Sequence, residues 1–482
     1  MSTRARPALL LGLVALAVGT ALGLLAGLGT TTLDPATSGD AALAADVRAS
    51  LTNGRGLVSV SAARIADGQV TFAGLGDAGD GPPSPDTPFE LGSITKTFTA
   101  ALLADAVRRG EVRLDDAVSA RLPELAGTPA GASTLRELAT HTAGLPAFPT
   151  PSAPLVVLRD VGNANPYPGS VAGLLVETRD TRVSGRGTYA YSNLGVALLG
   201  HALARAAGAP DWPTLVRQRV FEPLGMRHTV VVERTAQVPS GSARPHHDNG
   251  WPAPFWTGPA FAPAGSSTVT TARDLATWAQ ALLDGSAPGS SAMEPLTDIP
   301  GGRIGLVWHV LGVDGRAVTW HNGGTGGTRT VLALDRARGQ AVLLLSDSAR
   351  DVDATGLHLA AIPPGSPVAA VDSPSTGWAG LIGWDVVGLV LLGTAVLRWR
   401  SGGGWPLLDG ALAAATGLLV LLVHGPWQLV PRALWVGLAL VLLVLGVVAA
   451  RRPAGAKPVR RARLVMSLLA SAVVLALALW SV

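Results

Sequence analysis

Phe89-Glu90-Leu91-Gly92-Ser93-Ile94-Thr95-Lys96 is the stretch around which this chain is organised. It closes an extended, proline-rich run from Pro82 to Pro88 and opens a predicted helix over residues 97–109, stopped by Gly110. That segment is apolar nearly all round (Phe98, Leu102, Leu103, Val107), the pattern of a helix buried in a core. Basic residues followed by Gly are an ordinary helix stop. Ser93 and Lys96 are three apart, so on a helix their side chains share a face. The chain has 37 Lys plus Arg, yet Lys96 and Lys457 are its only lysines. Arg effectively never releases its proton, whereas a buried Lys can be driven neutral. A serine becomes a nucleophile beside a group that takes its proton or supports one that does. The four-letter spacing alone fits a surface Ser and Lys at any helix start; the scarcity of lysine and the partners downstream favour chemistry.

Working outward, 482 residues allow two or three domains and a large core. Residues 8–29 form an apolar run behind Arg4 and Arg6, long enough to span a bilayer. Gly27-x-Gly29 resembles a small-residue cleavage site, so residues 1–29 read as a signal anchor or a signal peptide, with the length favouring an anchor. Four further apolar runs, 379–397, 405–423, 433–450 and 464–482, predict a C-terminal transmembrane domain over 379–482. Arg398 and Arg400 follow the first run, and Arg451, Arg452, Lys457, Arg460, Arg461 and Arg463 separate the third from the fourth. The intervening loop holds only Arg432, so the positive-inside rule places residues 30–378 outside the cytoplasm of a multi-pass plasma-membrane protein.

Within residues 30–379 there are 26 Lys plus Arg against 31 Asp plus Glu, a net of −5. The basic excess of the whole chain therefore belongs to membrane topology, and nucleic acid is not an expected partner. No cysteine is present, which excludes a disulfide framework and a thiolate metal site. His246-His247-Asp248 lies in a Pro/Gly-rich loop without a spaced third ligand, so neither a metal nor another cofactor is expected.

Strand-like runs at 57–63 and 69–75 are joined by Ala66-Asp67-Gly68, a hairpin signal. Ser133-Thr134 ahead of Glu137 starts a capped helix running to His141. Residues 146–170, rich in Pro, Asn and Gly, read as a loop over the site. Helical patterns continue to about residue 300, and strand patterns return at 304–313, 317–320, 329–334 and 340–346. Strands at both ends around a helical middle predict an α+β fold: an antiparallel sheet flanked by helices, with a helical subdomain inserted. The expected domain covers residues 34–360, and 361–378 link it to the tail.

Two further constellations carry chemistry. Tyr191, one of three tyrosines, sits with Asn193 at a loop-to-helix junction. A tyrosine can act as a general base where a cation lowers its pKa, and Asn offers a donor and an acceptor to an amide. Read alone, Ser192 or Asn193 would simply cap the following helix. Trp320-His321-Asn322-Gly323-Gly324 follows one strand pattern and precedes another. Its glycines let a strand edge approach a ligand so that backbone N–H groups can bind a carbonyl oxygen.

Together, Ser93-x-x-Lys96, Tyr191-x-Asn193 and His321-Asn322-Gly323 resemble the serine β-lactamase and penicillin-binding protein family. The resemblance is to its class C branch, which also holds D-alanyl-D-alanine carboxypeptidases and esterases. Phe89–Lys96, His141-Thr142-Ala143-Gly144-Leu145, Phe221–Met226 and Ser267–Leu275 extend the likeness across residues 50–350. His321-Asn322-Gly323 stands where class C β-lactamases carry Lys-Thr-Gly, which looks more like the peptidases and esterases of the family. The resemblance implies an acyl-enzyme route on an amide or ester: a D-amino-acid peptide, an ester or a β-lactam, the peptide being cell-wall derived. Ser93 would attack, and Tyr191 with Lys96 beside it would carry the proton. Ser93 and Gly324 N–H groups would hold the oxyanion, and Asn193, His321, Asn322 and Gly323 would bind and position substrate. The alternative is a catalytically slow, penicillin-recognising sensor or binder coupled to the membrane module.

Overall fold

The computed structural model describes residues 5–161, 163–371, 378–399 and 405–450. It divides into two compact units, Leu33–His247 with Pro252–Pro374, and Met1–Thr32 with Asp248–Trp251 and Ser375–Val482. Twelve strands are described: β1 (Thr37–Gly39), β2 (Ser59–Ala66), β3 (Gln69–Gly76), β4 (Phe89–Glu90), β5 (Val230–Val231), β6 (Thr268–Thr270), β7 (Thr297–Ile299), β8 (Gly302–Ile304), β9 (His309–Val313), β10 (Arg316–Gly324), β11 (Arg329–Asp335) and β12 (Gln340–Ser346). The longer helices that matter below are α1 (Ala5–Leu25), α2 (Ala41–Ser50), α3 (Thr95–Arg108), α4 (Asn193–Ala206), α5 (Ala272–Leu283), α6 (Asp353–Ala361), α7 (Trp378–Trp399), α8 (Trp405–His424) and α9 (Ala433–Ala450).

The first unit is built on an antiparallel sheet in the order β1-β3-β2-β12-β11-β10-β9-β8-β7. Strands from the two ends of the unit meet where Leu343 pairs with Ala63. The β2–β3 hairpin turns at Asp67 and Gly68, both at positive φ, as a tight two-residue hairpin requires. Side chains alternate along β12: Leu343 and Leu345 join the core beneath α3, α4 and α5, while Val342 and Leu344 join the core with α2 and α6. The sheet is thus covered on both faces, the α+β layout expected from strands at both ends of the chain. The helical middle is present, and Thr134 and Glu137 form the capping box expected there. Residues 146–170 are not simply a loop: Ala153–Val161 is helical. Pro and Gly punctuate the flanks of that segment and leave an uninterrupted run between them.

A small second sheet, β4-β6-β5, sets the nucleophile turn, with Phe89 opposite Thr270. A 3₁₀ turn over Gly92–Ile94 leads straight into α3, so the helix starts at Thr95 and Ser93 sits on the turn before it. Gly92 takes φ +62, a conformation that side chains other than hydrogen rarely allow.

The second unit is helical. A Cβ on Gly19 of α1 would lie 2.7 Å from Gly437 Cα of α9, and one on Gly23 would lie 2.7 Å from Ala433 Cα. These small residues let two helix backbones touch. Asp409 of α8 pairs with Arg398 of α7. Counted over the described residues alone, no helix is long and apolar enough to cross a membrane. The fourth expected tail segment, 464–482, lies outside the described residues.

Candidate active site

Ser93 and Lys96 meet as their spacing predicts: Lys96 Nζ lies 2.7 Å from Ser93 Oγ and donates to the Ala264 carbonyl at 2.6 Å. Lys96 is fully buried. Removal from water penalises its charged form and holds its pKa well below the ordinary lysine range. Tyr191 lies over the same amine, with Lys96 Nζ 4.9 Å from the ring centroid. Although 37 % of Tyr191 is exposed, burial around its hydroxyl raises the phenol pKa, and a hydrogen bond with Ser93 opposes that rise. This corrects the expectation that a charged lysine lowers the tyrosine. Both shifts run toward the neutral form, because an apolar surround disfavours the ammonium and the phenolate alike. The amine, 2.7 Å from Ser93 Oγ, is thereby poised to accept its proton.

Asn193 starts α4 where expected, with Ser192 as the cap accepting from Gly195 N. Asn193 Nδ2 donates to Tyr167 Oη at 3.4 Å, and its Oδ1 is buried without a partner. Gly324 lines the same cavity as Ser93. The approach is very close: a Cβ on Gly92 would fall 2.5 Å from Gly324 N, and one on Gly323 would fall 3.0 Å from Ser93 N.

His321 and Asn322 were expected against substrate, and the structure places neither side chain among the cavity-lining residues. His321 is fully buried behind the tyrosine, its ring centroid 6.5 Å from that of Tyr191 and 5.5 Å from that of His309. Burial, with smaller contributions from His309 and Lys96, holds it neutral. Its Nδ1 is 2.6 Å from the Asn322 carbonyl oxygen, and Nε2 is buried without a partner. Asn322 points to the opposite face of the sheet and donates to Asp353 of α6. Successive strand residues face opposite ways, so His321 and Asn322 could not both face the site.

Several residues at the site were not singled out from the sequence. The cavity, about 220 Å³, is walled by Tyr167, Trp256 and Phe261, with Tyr167 4.9 Å from each of the other two rings. Nothing local in the sequence marks them, since Tyr167 comes from one loop and Trp256 and Phe261 from another far along the chain. His141 takes φ +58, accepts from Ser192 N at 3.2 Å, and stacks 4.5 Å from the Tyr191 ring. In the sequence its motif, His141-Thr142-Ala143-Gly144-Leu145, reads only as a flanking signature. Glu90 is buried and accepts from Trp256 N at 2.6 Å and Thr325 Oγ1 at 2.8 Å. Burial pushes its pKa up to about 8. Through these bonds Glu90 ties the cavity wall and the end of β10 to the nucleophile strand. Among the described residues no group of acidic and histidine side chains could hold a metal ion.

A family model described as beta-lactamase matches residues 41–362. A beta-lactamase of Pseudomonas fluorescens is 30 % identical over 178 residues, 36 % of this chain and 46 % of that protein. The D-alanyl-D-alanine-carboxypeptidase/endopeptidase AmpH of Escherichia coli (strain K12) is 31 % identical over 188 residues, again 36 % of this chain and 46 % of that protein. The chain thus spans less than half the length of these curated relatives. Among solved structures, a class C beta lactamase from Rhodobacter sphaeroides superposes with a TM-score of 0.55 at 23 % identity, covering 65 % of this chain and 96 % of that one. A beta-lactamase from Sulfitobacter sp. EE-36 gives 0.53 at 24 % identity, covering 62 % and 89 %. At such identities the superpositions speak to the fold.

Proposed function

The chain belongs to the beta-lactamase family, and from that premise we propose that it is a serine hydrolase working through an acyl-enzyme. The observation that carries the reading is Ser93 Oγ 2.7 Å from the amine of a fully buried Lys96. Ser93 Oγ attacks the carbonyl carbon of an ester or amide while its proton passes to Lys96. The oxyanion forms between the N–H groups of Ser93 and Gly324. Tyr191, beside both groups, relays that proton: it gives its own to the leaving alcohol or amine and takes the one held by Lys96, so both groups return to their starting states. Water then attacks the acyl-enzyme, the acid departs, and Ser93 regains its proton. Asn193, with its unpartnered Oδ1 aimed from the start of α4, supplies a hydrogen bond to the acyl portion.

We also propose that this hydrolase is held at the plasma membrane with its catalytic unit outside the cytoplasm. The apolar runs 8–29, 379–397, 405–423, 433–450 and 464–482 and the clustering of Arg on one side support that topology. Close packing of Gly19 and Gly23 in α1 on α9 supports keeping the N-terminal helix rather than losing it as a signal peptide.

One experiment tests both readings. Intact cells expressing the full chain, or Ser93→Ala, are treated with a membrane-impermeant fluorophosphonate. Ser93-dependent labelling before lysis is the expected result. Labelling only after lysis would remove the topology and leave the enzyme, and no Ser93-dependent labelling at all would remove the enzyme.

A further inference from the structure

The lining of the Ser93 cavity narrows the substrate, given the acyl-enzyme reading above. Three of its walls are aromatic, from Tyr167, Trp256 and Phe261, and the remaining lining is backbone, hydroxyl and the Asn193 amide. Among the described residues, none that lines the cavity carries a charge. The charged types nearby are each turned away or neutralised. Lys96 is buried behind Ser93 with its pKa depressed, and its amine is engaged by Ser93 and Ala264. His321 is held neutral behind Tyr191. Arg329, cross-strand from Gly324, donates to the carbonyls of Thr325 and Thr328, each at 2.8 Å. The Glu90 carboxyl, bonded to Trp256 N of the cavity wall, would repel an anion whenever it ionised.

A carboxylate beside the scissile bond would therefore lose its hydration against apolar rings with no lining cation to compensate. The volume argues the same way. A cavity of roughly 150 Å³ accommodates benzene in other proteins, so about 220 Å³ between the aromatic walls suits a single-ring acyl group. We propose that the site takes uncharged esters whose acyl portion is one aromatic ring or an apolar group of that size, and discriminates against substrates with a carboxylate next to the reacting carbonyl. The overall change is ester plus water to carboxylic acid plus alcohol. Ser93 Oγ forms the new C–O bond as the alcohol oxygen leaves with a proton, and water reverses the attachment to Ser93.

The test uses the full-length protein in detergent and three matched esters: phenylacetoxyacetamide, phenylacetoxyacetate and acetoxyacetamide. The first two differ only in the charge next to the leaving oxygen, and the first and third only in the ring. We expect kcat/KM for phenylacetoxyacetamide to exceed that for phenylacetoxyacetate at least tenfold. In Trp256→Ala the ratio of phenylacetyl to acetyl kcat/KM should fall at least tenfold. Because this is a ratio within one variant, a general loss of folding does not move it. Equal or better turnover of the carboxylate, or an unchanged ratio in Trp256→Ala, would overturn the proposal. Fluorophosphonate labelling of Ser93 is run on the same samples. Labelling together with a preference for the carboxylate sinks this inference and leaves acyl transfer standing. Absence of both labelling and turnover sinks the acyl-enzyme reading and this inference with it.

Discussion

Replacing Gly92 by Ala should separate catalysis from folding more cleanly than any change to the nucleophile itself. The new Cβ would sit 2.5 Å from Gly324 N and 3.0 Å from the Gly323 carbonyl carbon. Those neighbours are backbone, which cannot rotate aside, so the end of β10 must retreat by about 1 Å to restore ordinary contact. At φ +62 a residue with a Cβ is also strained, by about 1–2 kcal/mol. The retreat widens the gap between the two N–H groups assigned to the oxyanion. Losing one such donor typically costs about 3–4 kcal/mol, or roughly 10²–10³ in kcat. Gly92→Ala should therefore lose on the order of 10²-fold or more in kcat on an uncharged ester, with little change in KM. Thermal unfolding should show only a modest drop in midpoint. A folded Gly92→Ala that turns over within threefold of the parent would refute the assignment of Gly324 to the oxyanion.

Two further expectations concern pH. The neutral form of Lys96 is the one that accepts the Ser93 proton, and burial lowers its pKa well below 10.5. kcat/KM on an uncharged ester should level off below the ordinary lysine range, and a rise continuing to about pH 10.5 would show an exposed, ordinary lysine. Glu90 binds its proton up to about pH 8 in the fold but releases it near 4.5 when unfolded. Between those values the unfolded state holds fewer protons, so the contribution of Glu90 to stability falls as pH rises through the window. Melting curves of Glu90→Gln and parent, compared from pH 5 to 8, should show a difference shifting steadily in favour of the variant; parallel curves would show that Glu90 is not buried as described. Taking the difference between the two proteins removes the opposite trends of Lys96, His141 and His321, which are held neutral and gain stability as pH rises.

What could be read from the sequence alone was local or periodic. The β2–β3 hairpin follows from Asp67-Gly68, the cap at Thr134 from Glu137 three residues on, and the meeting of Ser93 with Lys96 from three-residue spacing and the rarity of lysine. Asn322 could have been placed as well, since period-two alternation from His321 turns it to the Asp353 face.

The protonation of the site and the character of its cavity were decided only by the tertiary structure. The pKa of Lys96 is pulled down because residues far along the chain, Ala264 among them, close over it and exclude water. Tyr167, Trp256 and Phe261 become one wall only when two loops converge, Tyr167 from one and Trp256 with Phe261 from the other, and the position of each loop depends on the core beneath it. Short-range patterns encode which backbone conformations are allowed. Dielectric surroundings and cavity walls are sums over non-local contacts, and no spacing within the sequence carries them.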